Sequence, residues 1–191
     1  MKRYAPLLVA CLMAGLVAFP FIRNLTTGEQ GMPGTQIGGH FVLETATGSL
    51  DTSTLDTDLM MIYFGYTYCP DVCPTELARM AQIYEGLDND KTRVSGLFVT
   101  VDPERDTIDA VTEYAEVFDP SFKGLAGDLA QIEAVMRQYQ VYAQKVGDDP
   151  ETYTVDHSSR IYLMDRDAKL MALFSMDTEI PIMIEKVKTF L

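Results

Sequence analysis

Two kinds of hydrophobic pattern alternate along the chain from about residue 37 onward. Continuous apolar runs at residues 59–66 and 94–101 are typical of strands that are buried on both faces. Apolar residues spaced three or four apart predict helices further along the chain. These helices are predicted to begin near Pro74, Thr107, Asp128 and Ile180. Strands that alternate with helices in this order indicate the α/β class.

Shorter segments predict two β-hairpins. The predicted pairs are residues 41–44 with 49–50 and residues 160–165 with 170–175. Residues 141–146 also alternate like a strand, whereas residues 147–159 are predicted to form a polar loop. Parallel crossovers followed by an antiparallel hairpin and a last helix form the thioredoxin arrangement. We therefore predict a thioredoxin-like fold with an N-terminal β-hairpin extension.

The N-terminus predicts a membrane anchor. Lys2 and Arg3 precede an apolar run over residues 4–22, close to the ~20 residues that a helix needs to cross a bilayer. No small-residue cleavage site follows the run, so residues 1–23 are expected to remain as a single transmembrane helix. Positive charge at the extreme N-terminus predicts that this end is cytoplasmic. The rest of the chain is then expected in a bacterial periplasm, anchored to the inner membrane.

Residues 24–36 are polar and rich in glycine, and they predict a flexible linker to a globular domain over residues 37–191. Cys11 lies in a short stretch of the apolar run that resembles a lipoprotein box. Whether Cys11 carries a lipid is left open.

The charge balance excludes one class of partner. The chain has 28 acidic and 15 basic residues, and three of the basic residues flank the N-terminal apolar run. The 12 that remain give residues 24–191 a net charge of −16. Such a surface repels phosphate backbones, so nucleic-acid binding is not expected.

Cys69 and Cys73 are the only cysteines outside the predicted anchor. They follow the first long strand, where open α/β sheets place their sites. The pair is compatible with a structural disulfide, a redox pair or a metal site, although a disulfide across so small a loop stabilises little. Pro74 is predicted as the first helical residue, which places Cys73 at the N-cap, where free amides stabilise a thiolate. The negative charge of Asp71 and Glu76 beside the sulfurs favours a cation.

A metal held by two thiolates needs a further ligand, and the chain has only two histidines. His157 lies at the end of the predicted loop, which faces the cysteine turn in a thioredoxin-like sheet, with Asp156 as a candidate to orient its ring. His40 follows two glycines and is interpreted as a solvated turn residue. Thiolates with imidazole select copper, zinc or iron. Met60, Met61 and the methionines of the predicted helices fall on apolar patterns and are predicted to lie in the core.

These segments resemble the Sco/SenC family of cytochrome oxidase assembly proteins. The matching residues are the stretch 63–77, which contains Cys69-Pro70-Asp71-Val72-Cys73-Pro74, the stretch 101–107, Phe118-Asp119-Pro120, Gly124-Leu125-Ala126-Gly127 and Asp156-His157-Ser158. His40 stands where the family usually has proline. The resemblance implies that Cys69, Cys73 and His157 bind Cu(I) or Cu(II). It also implies a metallochaperone whose partner is subunit II of cytochrome c oxidase, or another exported copper enzyme. Copper would be delivered to the CuA site of that subunit, or the thiols of that site would be prepared for it.

Two enzymatic alternatives use the same cysteines. In a periplasmic thiol–disulfide oxidoreductase, Cys69 and Cys73 would be the redox-active pair. A peroxidase is the other alternative, because residues 73–76 resemble a peroxiredoxin site. Pro70 stands where that site needs threonine, and Arg105 is the one candidate arginine, although it is equally expected to pair with Glu104 or Asp106. The CxxxC spacing and His157 argue against a general thioredoxin-type enzyme.

Overall fold

A computed structural model of the protein describes residues 37–191, so the predicted anchor and linker lie outside the described residues. Within the described part, no helix combines the length and the apolar character that crossing a membrane requires. The strands are β1 Val42–Thr45, β2 Gly48–Asp51, β3 Leu59–Gly65, β4 Val94–Thr100, β5 Lys123–Leu125, β6 Ala143–Val146, β7 Thr154–His157, β8 Ile161–Asp165 and β9 Leu170–Phe174. The helices are α1 Val72–Gly86, α2 Ile108–Glu116, α3 Leu129–Tyr139 and α4 Ile180–Lys188.

The largest sheet has the strand order β5-β4-β3-β8-β9. β4 runs parallel to both β3 and β5, while β8 runs antiparallel to β3 and β9. β1 pairs with β2 and β6 pairs with β7, each as a separate two-stranded hairpin. The α/β, thioredoxin-like class and the N-terminal hairpin are therefore confirmed.

β3 forms the centre of the core because helices cover both of its faces. Every residue of β3 and β4 is buried, as expected of strands in the middle of such a sheet. On one face, Phe64 contacts the ring of Tyr139 in α3. On the opposite face, Gly65 leaves room for the sulfur of Cys73 in α1. The buried side chains of Met60 and Met61 confirm that these methionines are core residues.

Two strands were missed by the sequence patterns. β5 has only three residues, too few to show a period. β7 lies inside the segment that was predicted to be a polar loop. Of its four residues only Val155 is buried, so the sequence shows no clear alternation, and the strand is held by pairing with β6. The predicted helix caps at Thr107 and Asp128 are confirmed, the second with a reciprocal capping box through Gln131.

Gly124 in β5 should not tolerate a side chain. A Cβ atom there would lie 2.4 Å from the carbonyl oxygen of Val111, in the backbone of α2. We expect Gly124→Ala to lower the free energy of unfolding by about 1–3 kcal/mol, measured by urea denaturation. Ser49→Ala, at an exposed position, is the control and should change it by less than about 0.5 kcal/mol. A Gly124→Ala variant whose unfolding midpoint lies at the same urea concentration as that of the wild type would contradict the packing described.

Candidate metal centre

Three potential metal ligands meet at one edge of the large sheet. Cys69 and Cys73 follow the end of β3, and His157 ends β7, just before β8 begins. The two sulfurs and a ring nitrogen of His157 all lie within 4.8 Å of one another. Cys73 Sγ is 3.3 Å from His157 Nε2. The sequence therefore predicted which side chains converge, including the correct histidine, since His40 is exposed and contacts Thr52 instead.

The start of α1 differs from the prediction in a way that exchanges the roles of the two cysteines. Asp71 is the N-cap and Val72 the first helical residue, so Cys73 lies inside the first turn. Pro74 is accommodated there because first-turn amides have no partner within the helix. The N–H of Cys73 donates to Cys69 Sγ at 3.3 Å. It is thus Cys69, not Cys73, whose sulfur accepts a hydrogen bond from the helix start.

The two thiols consequently have opposite acidities. The side chain of Cys73, with the amides of Cys73 and Asp71, holds the pKa of Cys69 well below its ordinary value. The neighbouring Cys69 sulfur, together with burial, raises the pKa of Cys73. Cys73 is fully buried, whereas Cys69 is half-buried. The metal-free pair therefore holds a thiolate on the outside and a protonated thiol on the inside.

A backbone carbonyl and two aromatic rings fix the orientation of His157. Nδ1 lies 3.1 Å from the carbonyl oxygen of Ser158, which only accepts hydrogen bonds, so the ring proton is on Nδ1. Nε2 then directs its lone pair towards Cys73, as a metal ligand must. The rings of Tyr63 and Tyr66 contact the imidazole edge-on, with centroids 6.2 Å and 5.8 Å away. The prediction that Asp156 orients the ring is wrong, because Asp156 is exposed and Ser158 takes that place.

The electrostatic surroundings are less negative than the sequence suggested. Glu76 is fully buried and its carboxylate lies 3.4 Å from the guanidinium of Arg79, one turn further along α1. Desolvation raises the pKa of Glu76 against the opposing charge of Arg79. Asp71 remains exposed at the helix start. The negative charge beside the sulfurs therefore comes from Asp71 and from the Cys69 thiolate itself.

Arg105 does not behave as a surface residue. Its Nε donates to Asp102 at 2.7 Å, and its guanidinium lies over the ring of Tyr153 with 3.5 Å to the centroid. The expected pairing with Glu104 or Asp106 is wrong, because the turn at 102–105 directs Arg105 inward. A guanidinium held by Asp102 is neutralised and is poorly suited to steady a cysteine thiolate. The arginine that a peroxidase mechanism requires is therefore engaged elsewhere.

The donor set suits a soft metal ion. Two sulfurs and an imidazole are typical of copper, zinc and iron sites, and soft thiolates select Cu(I) in particular. Among residues 37–191, no further histidine, cysteine or carboxylate joins the cluster, so it lacks the four ligands of a structural zinc site. A cleft of about 330 Å³ opens beside it, lined by Pro70, Val72 and Asp156 as well as by Cys69 and His157. The cluster thus fits a three-ligand ion that can be reached from outside.

Known proteins are similar in sequence to most of this chain. The sequence model of SCO1/SenC matches residues 29–191. The chain belongs to the SCO1/SenC family. An SCO2-like protein of Rickettsia conorii is 37% identical over 190 residues, covering 94% of this chain and 93% of the relative. Human mitochondrial SCO1 homolog is 38% identical over 148 residues, covering 74% of this chain and 48% of the human protein.

Solved structures of the SCO1/SenC family have the same fold. ScoI of Bradyrhizobium japonicum with copper bound superposes with a TM-score of 0.74 at 39% identity, over 81% of this chain and 99% of that one. ScoI of Arabidopsis thaliana with copper bound gives 0.73 at 33% identity, over 80% of this chain and 99% of that one. The fold around the Cys-Cys-His cluster is therefore the fold of copper-bound SCO1/SenC proteins.

The residues that surround the ligands in this SCO1/SenC member show no recognisable sequence pattern. Tyr66 precedes the cysteine turn, and its hydroxyl accepts the N–H of Val155 at 3.2 Å. Tyr153, in the segment taken for a loop, donates to Asp102 at 2.5 Å. The stretch 101–107 resembles the family in sequence, but the sequence predicted no role for its residues. Asp102 and Asp106 are both buried, and nothing in the sequence indicates this burial.

The opposite acidities of the cysteines predict unequal reactivity with iodoacetamide. In the reduced, metal-free 191-residue chain, we expect alkylation of Cys69 to be at least about tenfold faster than that of Cys73, since only Cys69 is both accessible and ionised. Because the Cys69 pKa is lowered, its rate should stay flat between about pH 6 and 8, where an ordinary thiol accelerates. Peptide mass spectrometry separates the two sites. In urea both should react alike, and equal rates in the folded chain would refute the assignment.

Proposed function

We propose that this SCO1/SenC protein binds one copper ion through Cys69 Sγ, Cys73 Sγ and His157 Nε2. The observation that carries the proposal is the convergence of these three atoms within 4.8 Å at an accessible edge of the sheet. Solved relatives that share over 30% of the sequence hold copper. Loading Cu(I) requires the Cys73 proton to leave, and the product of two thiolates with Cu(I) carries a net charge of −1. The amides at the start of α1 favour that charge.

The copper is cargo for another protein. The Sco family, to which the chain belongs, is a family of cytochrome c oxidase assembly proteins. We infer that the chain delivers copper to the CuA site of subunit II of that oxidase, or prepares the thiols of that site. Another exported copper enzyme is the alternative recipient. Half-exposed Cys69 and the open cleft support ligand exchange with an incoming protein, because thiolates of the recipient can reach the ion on that side.

The copper site is tested with the 191-residue chain in detergent. We expect one copper per reduced chain and a thiolate-to-Cu(II) absorption band that is lost or altered in both His157→Ala and Cys73→Ser. His40→Ala is the matched control and should bind copper as the wild type does, because His40 contacts Thr52 and not the cluster. Copper binding that is absent from the wild type, or indifferent to His157, would overturn the proposal.

A thiol–disulfide oxidoreductase is a second candidate, favoured by the ionised, half-exposed Cys69 beside the protonated, buried Cys73. The Cys69 thiolate would attack a partner disulfide and form a mixed disulfide while one partner thiolate leaves. Cys73, after losing its proton, would attack the Cys69 sulfur and release the second partner thiol. Reduction of a disulfide-bonded peptide by His157→Ala, with no such activity in Cys69→Ser, would support this function. The thiolate-to-Cu(II) band would be lost or altered in both variants, so the two functions are separable.

We further propose that residues 1–23 anchor the protein in a bacterial inner membrane with the domain in the periplasm. The apolar run and the basic residues Lys2 and Arg3 support this orientation. The protein should sediment with membranes after a carbonate wash, and protease should digest the domain in spheroplasts. Deleting residues 1–23 should abolish membrane association. A domain that resists protease until the membrane is lysed would contradict this orientation.

A further inference from the structure

One short turn touches both halves of the candidate copper site. Residues 102–106, here called the bracket segment, follow β4 and form hydrogen bonds both with the turn that carries the cysteines and with Tyr153, just before the strand that ends in His157. The two halves come from parts of the chain more than eighty residues apart. Contacts with a common segment therefore affect the distance between the sulfurs and the imidazole.

Asp106 holds the cysteine half. Its buried carboxylate accepts a hydrogen bond from the N–H of Thr67 at 3.1 Å and one from the Thr67 hydroxyl at 2.5 Å. The hydroxyl of Thr100, at the end of β4, donates to the same carboxylate at 2.6 Å. Thr67 lies two residues before Cys69, so the start of the cysteine turn is fixed to the end of β4.

Asp102 and Arg105 hold the histidine half through one residue, Tyr153. The Tyr153 hydroxyl donates to Asp102 at 2.5 Å, and its carbonyl oxygen accepts from Arg105 Nη1 at 2.9 Å. The Arg105 guanidinium lies over the same ring and pairs with Asp102 in a nearly inaccessible ion pair. Tyr153 directly precedes β7, whose last residue is His157. The strand that ends in the ligand is thereby held at its beginning.

Two additional contacts strengthen this connection. Lys145 of β6 forms an ion pair with Glu104 of the bracket segment. Tyr66 accepts the N–H of Val155, which links the hairpin directly to the cysteine turn. β6 and β7 pair only with each other, so these contacts outside the large sheet determine where the hairpin lies.

We propose that the bracket segment positions His157 against the cysteines and so determines how well the site binds Cu(II) relative to Cu(I). The inference rests on the proposed function. Two thiolates retain Cu(I) with little help, whereas Cu(II) depends on a nitrogen ligand in a defined place. Asp102, Arg105 and Tyr153 act as positioning residues for the imidazole, and Asp106 and Thr67 act as positioning residues for the sulfurs. The two halves should therefore respond differently to mutation.

Tyr153→Phe tests the histidine half, and Tyr142→Phe is its matched control. Tyr142 directly precedes β6, is exposed, and its hydroxyl donates to Gln144. We expect Tyr153→Phe to weaken Cu(II) binding by about three- to tenfold, the worth of one hydrogen bond, and to shift the thiolate-to-Cu(II) band. Cu(I) affinity should change by less than about twofold, because both thiolates remain in place. Arg105→Lys should also weaken Cu(II) binding more than Cu(I) binding, and the loss of Cu(II) affinity should be larger than in Tyr153→Phe.

Thr67→Val tests the cysteine half. This change keeps the shape of the side chain and removes the hydroxyl that donates to Asp106. We expect it to weaken Cu(I) and Cu(II) by similar factors, since both ions use the sulfurs. Affinities are measured by competition with chelators specific for each oxidation state, using the 191-residue chain in detergent.

A metal-free measurement reports on the same positioning. The chain has two histidines, so the ring protons of His157 are readily assigned by NMR after histidine labelling, with His40 as an internal reference. The rings of Tyr63 and Tyr66 shift these protons while the imidazole stays edge-on to them. In Tyr153→Phe the His157 signals should move towards their unfolded positions and those of His40 should not.

The outcomes separate the two proposals. A wild-type chain that binds no copper defeats the proposed function, and the His157 ring signals then decide the positioning role without metal. If the wild type binds copper but Tyr153→Phe leaves both affinities and the His157 signals unchanged, the bracket has no positioning role. Equal losses of Cu(I) and Cu(II) affinity in Tyr153→Phe, or the same selective loss in Tyr142→Phe, would also overturn the positioning role.

Discussion

The pairing of β3 with β4 on one side and β8 on the other is the constraint on which the site depends. β3 and β4 are parallel, so both end at the same edge of the sheet. β8 is antiparallel to β3, so it begins at that edge. The segment after β3 carries the cysteines, the segment after β4 is the bracket, and the segment before β8 carries the histidine. Three distant stretches of sequence are brought to one place by a single set of backbone hydrogen bonds.

Within that edge, the chemistry of the cysteines follows from the start of α1. A sulfur that accepts an amide of the first turn is stabilised as a thiolate, while its neighbour inside the turn is sheltered and keeps its proton. This asymmetry suits a metal ligand set and a thiol exchange reaction equally well. His157 makes the difference, since its Nε2 is directed at the sulfurs and its Nδ1 is engaged by a carbonyl. An imidazole fixed in this way is already oriented to bind a metal ion, whereas disulfide exchange does not require an imidazole.

Sequence patterns predicted the longer strands and helices and the residues with distinctive chemistry. The runs that became β3 and β4 were clear because both faces are buried, and Cys69, Cys73 and His157 stood out because the chain has so few cysteines and histidines. β5 and β7 were missed because three or four residues show no period, and β7 gains its place only by pairing with β6. The start of α1 was misplaced because a sulfur acting in place of a capping side chain leaves no mark on the sequence. Arg105 was misjudged because an arginine between acids is usually a surface residue, and only tertiary structure shows that Tyr153 covers it.

The complete burial of Cys73 gives the site an inner and an outer side. An ion held by all three ligands would be exposed to a recipient only where Cys69 and His157 line the cleft. Ligand exchange would then follow a fixed sequence in which the bonds to Cys69 and His157 are replaced first and the bond to Cys73 breaks last. The inner sulfur would act as a retaining ligand, so an ion displaced from the outer two would remain bound until the recipient had supplied ligands of its own. Such an order would limit the escape of free copper, and it would follow from which of the two cysteines lies in the first turn of α1.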